Sequence, residues 1–155
     1  MKTLNDLIND VLPHIKEVFP WDLEEKLAQP EKPLILDIRE ADEYDAMHIE
    51  GSLFVPRGIL EQACEWDYDE TVPELVRARD REIIIVCRSG TRSVMAAFTM
   101  QLMGYQNVAS LKTGIRGWND YEQPLVDKHG HQVDIDDAEE FLANKVREDQ
   151  MNPDR

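Results

Sequence analysis

Cationic residues are scarce in this sequence. Seventeen Lys and Arg stand against thirty-two Asp and Glu, a formal net charge of −15. The attraction that drives non-specific binding to phosphate backbones is therefore missing, and a nucleic-acid partner is not expected. Anionic membrane surfaces are disfavoured on the same ground. Long apolar runs are missing as well: no stretch approaches bilayer-spanning length, and the amino terminus has no apolar core of signal-peptide type. No membrane association is expected, and a cytoplasmic location is. Cysteine is rare, and Cys64 and Cys87 alone cannot build a disulfide framework, in keeping with a reducing compartment. What remains is ordinary for a globular chain. Its 155 residues, 42% hydrophobic and 32% charged, are enough for one domain to bury roughly 70% of the surface its unfolded form exposes.

The strongest local signal lies at residues 82–93. Ile83, Ile84, Ile85 and Val86 form a continuous β-branched run, which suits the centre of a parallel sheet covered on both faces. Helical spacing resumes at Val94, with Met95, Phe98, Leu102 and Met103 on one side. Cys87 thus stands at the carboxyl end of a central strand, facing a small polar loop and the positive end of the following helix.

Around this stretch, helix and strand signals alternate. Residues 4–19 match helical spacing, and Pro13 predicts a kink or a division into two short helices. This amphipathic extension, residues 1–20, packs on its own domain or offers a homodimer contact. A short helix over 21–28 precedes a strand over 34–38, an acidic helix over 40–47, the turn His48–Ser52 and a strand over 53–55. A helical turn or two over 57–64, an acidic surface insertion over 66–70 and a helix start at 71–74 lead to the central strand. Beyond Gly104, a helix C-cap, come a strand over 107–111, a glycine-bearing turn into a short helix at 113–118 and a loop over 122–134. The last helix, 136–148, is expected to bury Ile135, Ala138, Phe141, Leu142 and Val146. This order predicts an α/β domain with a central, mainly parallel sheet flanked by helices on both faces.

The chemistry concentrates at Cys87. A thiol beside a helix amino terminus and cations ionises more readily than a free one. Arg88 and Arg92 flank the loop, Gly90 permits a backbone turned so that successive N–H groups form an anion nest, and Ser89, Thr91 and Ser93 add hydroxyls. Two arginines beside a thiol in so acidic a chain point to a local pocket for a small anion. Cys64 reads as a packing residue, with a resolving thiol as the sharper alternative. His129 and His131 lack an accompanying carboxylate cluster and read as a solvated loop, so no metal is expected.

Cys87-Arg88-Ser89-Gly90-Thr91-Arg92-Ser93 resembles the active-site loop of the rhodanese-like sulfurtransferases. Asp37-Ile38-Arg39-Glu40 with Glu43-Tyr44, His48-Ile49-Glu50-Gly51-Ser52 and Gly114-Ile115-Arg116-Gly117-Trp118 resemble the family's other motifs in order and spacing. The resemblance covers residues 21–122 and leaves 123–155 as a loop and helix packed on the domain. Two turn positions depart from the family's usual glycines, at Met47 and Thr113. The resemblance implies that the Cys87 thiolate takes sulfur from a small anionic donor such as thiosulfate. It then passes the sulfur from a persulfide to cyanide, a small thiol or a thiol protein, without metal or organic cofactor. Arg88 and Arg92 would orient the donor and loop N–H groups would hold the persulfide.

The supporting residues carry weaker expectations. Asp37 reads as a partner of a loop arginine or loop N–H groups, Arg39 as a structural ion pair with Glu43, and Arg57 and Arg116 as candidates for the pocket rim. Two other readings stand beside sulfur transfer: a cysteine-dependent phosphatase or arsenate reductase, and a non-catalytic binding or regulatory module. Related phosphatases place five residues between cysteine and arginine. Here four separate Cys87 from Arg92, which implies a tighter cradle.

Overall fold

A computed structural model describes residues 1–155. Five parallel strands form one sheet in the order β1-β5-β4-β2-β3. They are β1 (Lys16–Val18), β2 (Leu34–Asp37), β3 (Leu53–Phe54), β4 (Glu82–Val86) and β5 (Asn107–Leu111). The β-branched run forms β4 at the centre. Because successive side chains point to opposite faces, Ile83 and Ile85 enter one core layer and Ile84 and Val86 the other. Both layers are closed by helices, which is why the run needs no polar alternation.

The first layer is covered by α4 (Leu60–Ala63), α5 (Pro73–Val76) and α6 (Thr91–Leu102), through Leu60, Ala63, Leu75, Ala96, Ala97 and Met100. The second is covered by α2 (Pro20–Leu27), α7 (Gly114–Asp120) and α8 (Ile135–Leu142), through Leu23, Ile115, Trp118, Ala138 and Leu142. Helix α3 (Ala41–Ala46) joins β2 to β3. No helix is long and apolar enough to cross a membrane.

Three expectations about elements are corrected. Residues 4–19 are not one helical segment: α1 (Leu4–Val11) leads to a 3-10 turn at Leu12–His14, and Lys16–Val18 then form the edge strand β1 against β5. The extension of residues 1–20 is therefore only partly helical, and it contributes a strand to the sheet. Helix α6 begins at Thr91, and its face toward the sheet is made of Ser93, Ala96, Ala97 and Met100, while Leu102 is 75% exposed. Small residues there bring the helix close to β4 and β5, and the larger Met95 and Phe98 are half-buried on another side. Helix α8 stops at Leu142, so Ile135, Phe141 and Val146 remain 41%, 42% and 48% exposed and only Ala138 and Leu142 are buried.

Candidate active site

The carboxyl ends of β2, β4 and β5 meet where the chain leaves β4 at Cys87. This is the edge at which parallel α/β sheets place their ligands. Cys87 is 1% exposed, and its Sγ accepts from the Gly90 N–H at 3.2 Å and the Ser93 N–H at 3.4 Å. The Ser93 hydroxyl lies 3.4 Å from the same sulfur and 2.7 Å from the hydroxyl of Ser110 on β5. Ser93 and Ser110 are fully buried. When the sulfur is a thiolate, Ser93 Oγ–H donates to it and Ser110 Oγ–H donates to Ser93. Each hydroxyl then supports the negative charge.

The loop takes this shape because two glycines allow it. Gly90 caps α6 at φ 92°, and a Cβ there would lie 3.1 Å from Thr113 N and 3.2 Å from Leu111 O. Gly114, at φ 62°, is packed tighter: a Cβ would sit 2.5 Å from the Cys87 carbonyl oxygen. That close approach lets Ile115 N–H donate to Cys87 O at 2.8 Å and Arg116 N–H to Arg88 O at 2.9 Å. The amino-terminal turn of α7 thereby fixes the carbonyls of the cysteine loop. The segment Gly114–Trp118 is thus joined to the loop by backbone bonds, a link its sequence spacing did not convey.

The arginines are placed differently from expectation. Arg92 donates through both terminal nitrogens to Glu43 of α3, each at 2.9 Å. Burial pushes the Glu43 carboxyl up, but hydrogen bonds from Arg92 and the Glu40 N–H, with the charges of Arg92 and Arg39, outweigh it and hold it below its ordinary value. Hydrogen bonding to Glu43 likewise raises Arg92. Arg92 therefore supplies charge near Cys87 from a fixed position, with its fork occupied. Arg88 has no ion-pair partner and faces the carboxyl-terminal segment around Phe141–Gln150. Ser89 is exposed and Thr91 half-buried, and of the three loop hydroxyls only that of Ser93 reaches the sulfur.

Asp37 pairs with Arg39, not with a loop arginine, and Arg39 pairs with Asp37, not with Glu43. Both side chains are fully buried, joined at 2.9 to 3.2 Å through Arg39 Nε and Nη2. Arg39 Nη2 also donates to the Met47 carbonyl at 2.6 Å, tying the end of β2 to the end of α3. Arg57 is held by Glu61 at 2.9 Å and Thr99 at 3.3 Å, whereas Arg116 is exposed beside the loop backbone. Ser110 is the site residue that sequence reasoning missed. Its only local signal is one polar residue between the apolar Ala109 and Leu111 of β5. Cys64 is a separate buried thiol, pushed up by burial, with the Tyr105 hydroxyl and Arg79 acting in the opposite sense. No three His, Cys, Asp or Glu side chains are grouped to hold a metal ion.

The rhodanese-like domain family model matches residues 20–121. The chain is 35% identical over 104 residues to a putative sulfur carrier protein, YrkF, of Bacillus subtilis, covering 67% of this chain and 51% of that one. It therefore spans about half the length of that relative. It is 29% identical over 116 residues to a sulfurtransferase of Allochromatium vinosum, covering 75% of this chain and 99% of the relative. A solved structure from Rhodopseudomonas palustris, described as a possible tyrosine phosphatase, superposes with a TM-score of 0.70 at 27% identity, over 81% of this chain and 95% of that one. With the family model covering strands β2 to β5, the cysteine loop and the α7 turn that fixes it, the chain belongs to the rhodanese-like domain family.

Proposed function

We propose that the protein is a sulfurtransferase that carries sulfane sulfur as a persulfide of Cys87. The observation that carries this reading is the cup of donors on Cys87 Sγ, made by the N–H groups of Gly90 and Ser93 and the Ser93 hydroxyl at 3.2 to 3.4 Å. Such donors stabilise a thiolate nucleophile and equally the thiolate released when sulfur moves on. The Cys87 thiolate attacks the outer sulfur of a donor such as thiosulfate, the donor's S–S bond breaks, and sulfite leaves with the bonding electron pair. An acceptor such as cyanide or a thiol then attacks the outer sulfur of the persulfide and returns the electron pair to Cys87. Arg88, the loop guanidinium with no carboxylate partner, meets the incoming anion. Arg92, held by Glu43, contributes its field. The names of the Bacillus subtilis and Allochromatium vinosum relatives support sulfur transfer as the general activity.

Incubation with thiosulfate followed by intact-mass measurement should show one added sulfur, removed by cyanide and absent in Cys87→Ser. No adduct from thiosulfate, polysulfide or mercaptopyruvate would sink the reading. A phosphatase is the second reading, favoured by the likeness to the Rhodopseudomonas palustris structure. Against it stand the four-residue spacing and an Arg92 fork already filled by Glu43. Cys87-dependent hydrolysis of an aryl phosphate would reverse that preference.

A further inference from the structure

Chain outside the family match faces Arg88, the residue that follows Cys87 in its loop. After α8 ends at Leu142, residues 143–147 run without helix or strand. Of these, residues 143–146, with Phe141 and Gln150, face Arg88 across an open groove of about 500 Å³. Sites for organic ligands occupy ~300–1,000 Å³, so the groove is of that class and exceeds what thiosulfate or cyanide would fill.

Its chemistry is particular. Arg88 and Lys145 are the charged residues lining it, and no carboxylate lines it. Neither cation has an ion-pair partner, whereas Arg39, Arg57, Arg79, Arg81, Arg92 and Arg147 each face a carboxylate. In a chain of net charge −15, two unpaired cations in one groove make a local positive site. Phe141 and Val146 add apolar surface to the same groove, 42% and 48% exposed. Charge complementarity calls for an anion, and the apolar surface calls for a carbon skeleton.

We infer that this groove is an acceptor subsite for a small, peptide-sized organic thiol bearing carboxylates, an assignment that rests on the Cys87 persulfide proposed above. The occupant's carboxylates meet Arg88 and Lys145, and its skeleton covers Phe141 and Val146. Its thiolate attacks the outer sulfur of the Cys87 persulfide. A new S–S bond forms on the acceptor, the bond from Sγ to the outer sulfur breaks, and its electron pair stays on Sγ as a thiolate held by Gly90 and Ser93. The outer sulfur leaves on the acceptor as a persulfide with the proton it bore, and no oxidant or reductant is consumed. Acceptor choice then resides in residues 141–150, beyond the matched domain.

The test uses the full chain and two readouts. S-methylglutathione, which has no thiol to receive sulfur, is titrated calorimetrically into wild type, Lys145→Glu and Lys128→Glu. The last makes the same charge change at an exposed lysine that does not line the groove. Lys145→Glu should weaken binding about tenfold, since it removes an attraction and adds a repulsion, and Lys128→Glu should bind as wild type does. On protein loaded with thiosulfate sulfur, the ratio of kcat/KM for glutathione to that for cyanide should fall by a similar factor in Lys145→Glu alone. Equal dissociation constants for the two variants, or an unchanged ratio, would overturn the assignment. So would absence of probe binding where an acidic carboxy-terminal peptide binds, which would make a protein the occupant. A protein that binds the probe but takes up no sulfur would instead refute the persulfide reading, since the titration does not depend on transfer.

Discussion

Two cysteines are buried in the same core layer, and the donors around each sulfur give them different chemistry. Cys64 sits where burial disfavours its thiolate. Cys87 faces two N–H groups and a hydroxyl that is itself backed by Ser110. A hydrogen bond to an anion is worth ~1.5–3 kcal/mol when direct, and one acting through an intervening hydroxyl is worth less. Ser110→Ala should therefore slow alkylation of Cys87 by iodoacetamide at pH 7 by about three- to tenfold. Ser110→Thr, which keeps the hydroxyl, should restore the rate. Equal rates for the alanine variant and wild type would show that Ser110 only fills space. Cys87 and its loop were legible in the sequence because strand, loop and helix start are contiguous. Ser110 was not, because it meets Ser93 only through the packing of α6 on β5 and stands seventeen residues away. The Glu43–Arg92 pair spans forty-nine residues, so nothing local favoured it over a pairing of Glu43 with nearby Arg39.

The element that holds the cysteine loop in place does so under strain. Thr113 stands in the β5–α7 turn at φ 71°, a left-handed conformation that costs a β-branched residue about 1–2 kcal/mol. Glycine removes that cost but loses about 0.4–1 kcal/mol through its freer unfolded state. Thr113 is exposed, and its side chain bonds only the adjacent Lys112 carbonyl and rests on Gly117, which has no side chain to pack, so little packing is lost. Thr113→Gly should therefore raise stability by about 0.5–1 kcal/mol, read as a higher urea midpoint at constant slope. A lower midpoint would show that the threonine stabilises the turn. Most elements were legible because hydrophobic period and turn residues agreed, as in β4 or at Gly104. Ile15, Val18 and Phe19 fit helical spacing as well as a strand, and only the partner β5 decides for β1. Helix α8 failed differently. Phe141 and Val146 stand at helical spacing from Ala138 and Leu142 respectively, yet the helix ends at Leu142 and leaves both in the groove beside Arg88.

At the scale of the whole molecule, the net negative charge acts on stability. A net charge of −15 repels itself in the compact state. Raising salt from about 0.01 M to about 0.1 M shortens the screening length from about 30 to about 10 Å. At pH 7 this step should raise Tm, by about 2–4 °C for each kcal/mol of repulsion removed. Near the isoelectric point of about 4.5 net repulsion is gone, and the same step should leave Tm level or lower it by screening attractive pairs. Further acidification adds a local term of known sign. The folded value for Glu43 lies below its ordinary 4.5, so its contribution is fully present above pH 4.5 and is lost as the pH falls through the folded value. Glu43→Gln should accordingly flatten the decline of Tm below pH 4.5. A salt-induced rise in Tm of equal size at pH 7 and pH 4.5 would rule out net repulsion as its cause. An unchanged acid limb in Glu43→Gln would remove the Arg92 pair from the acid response.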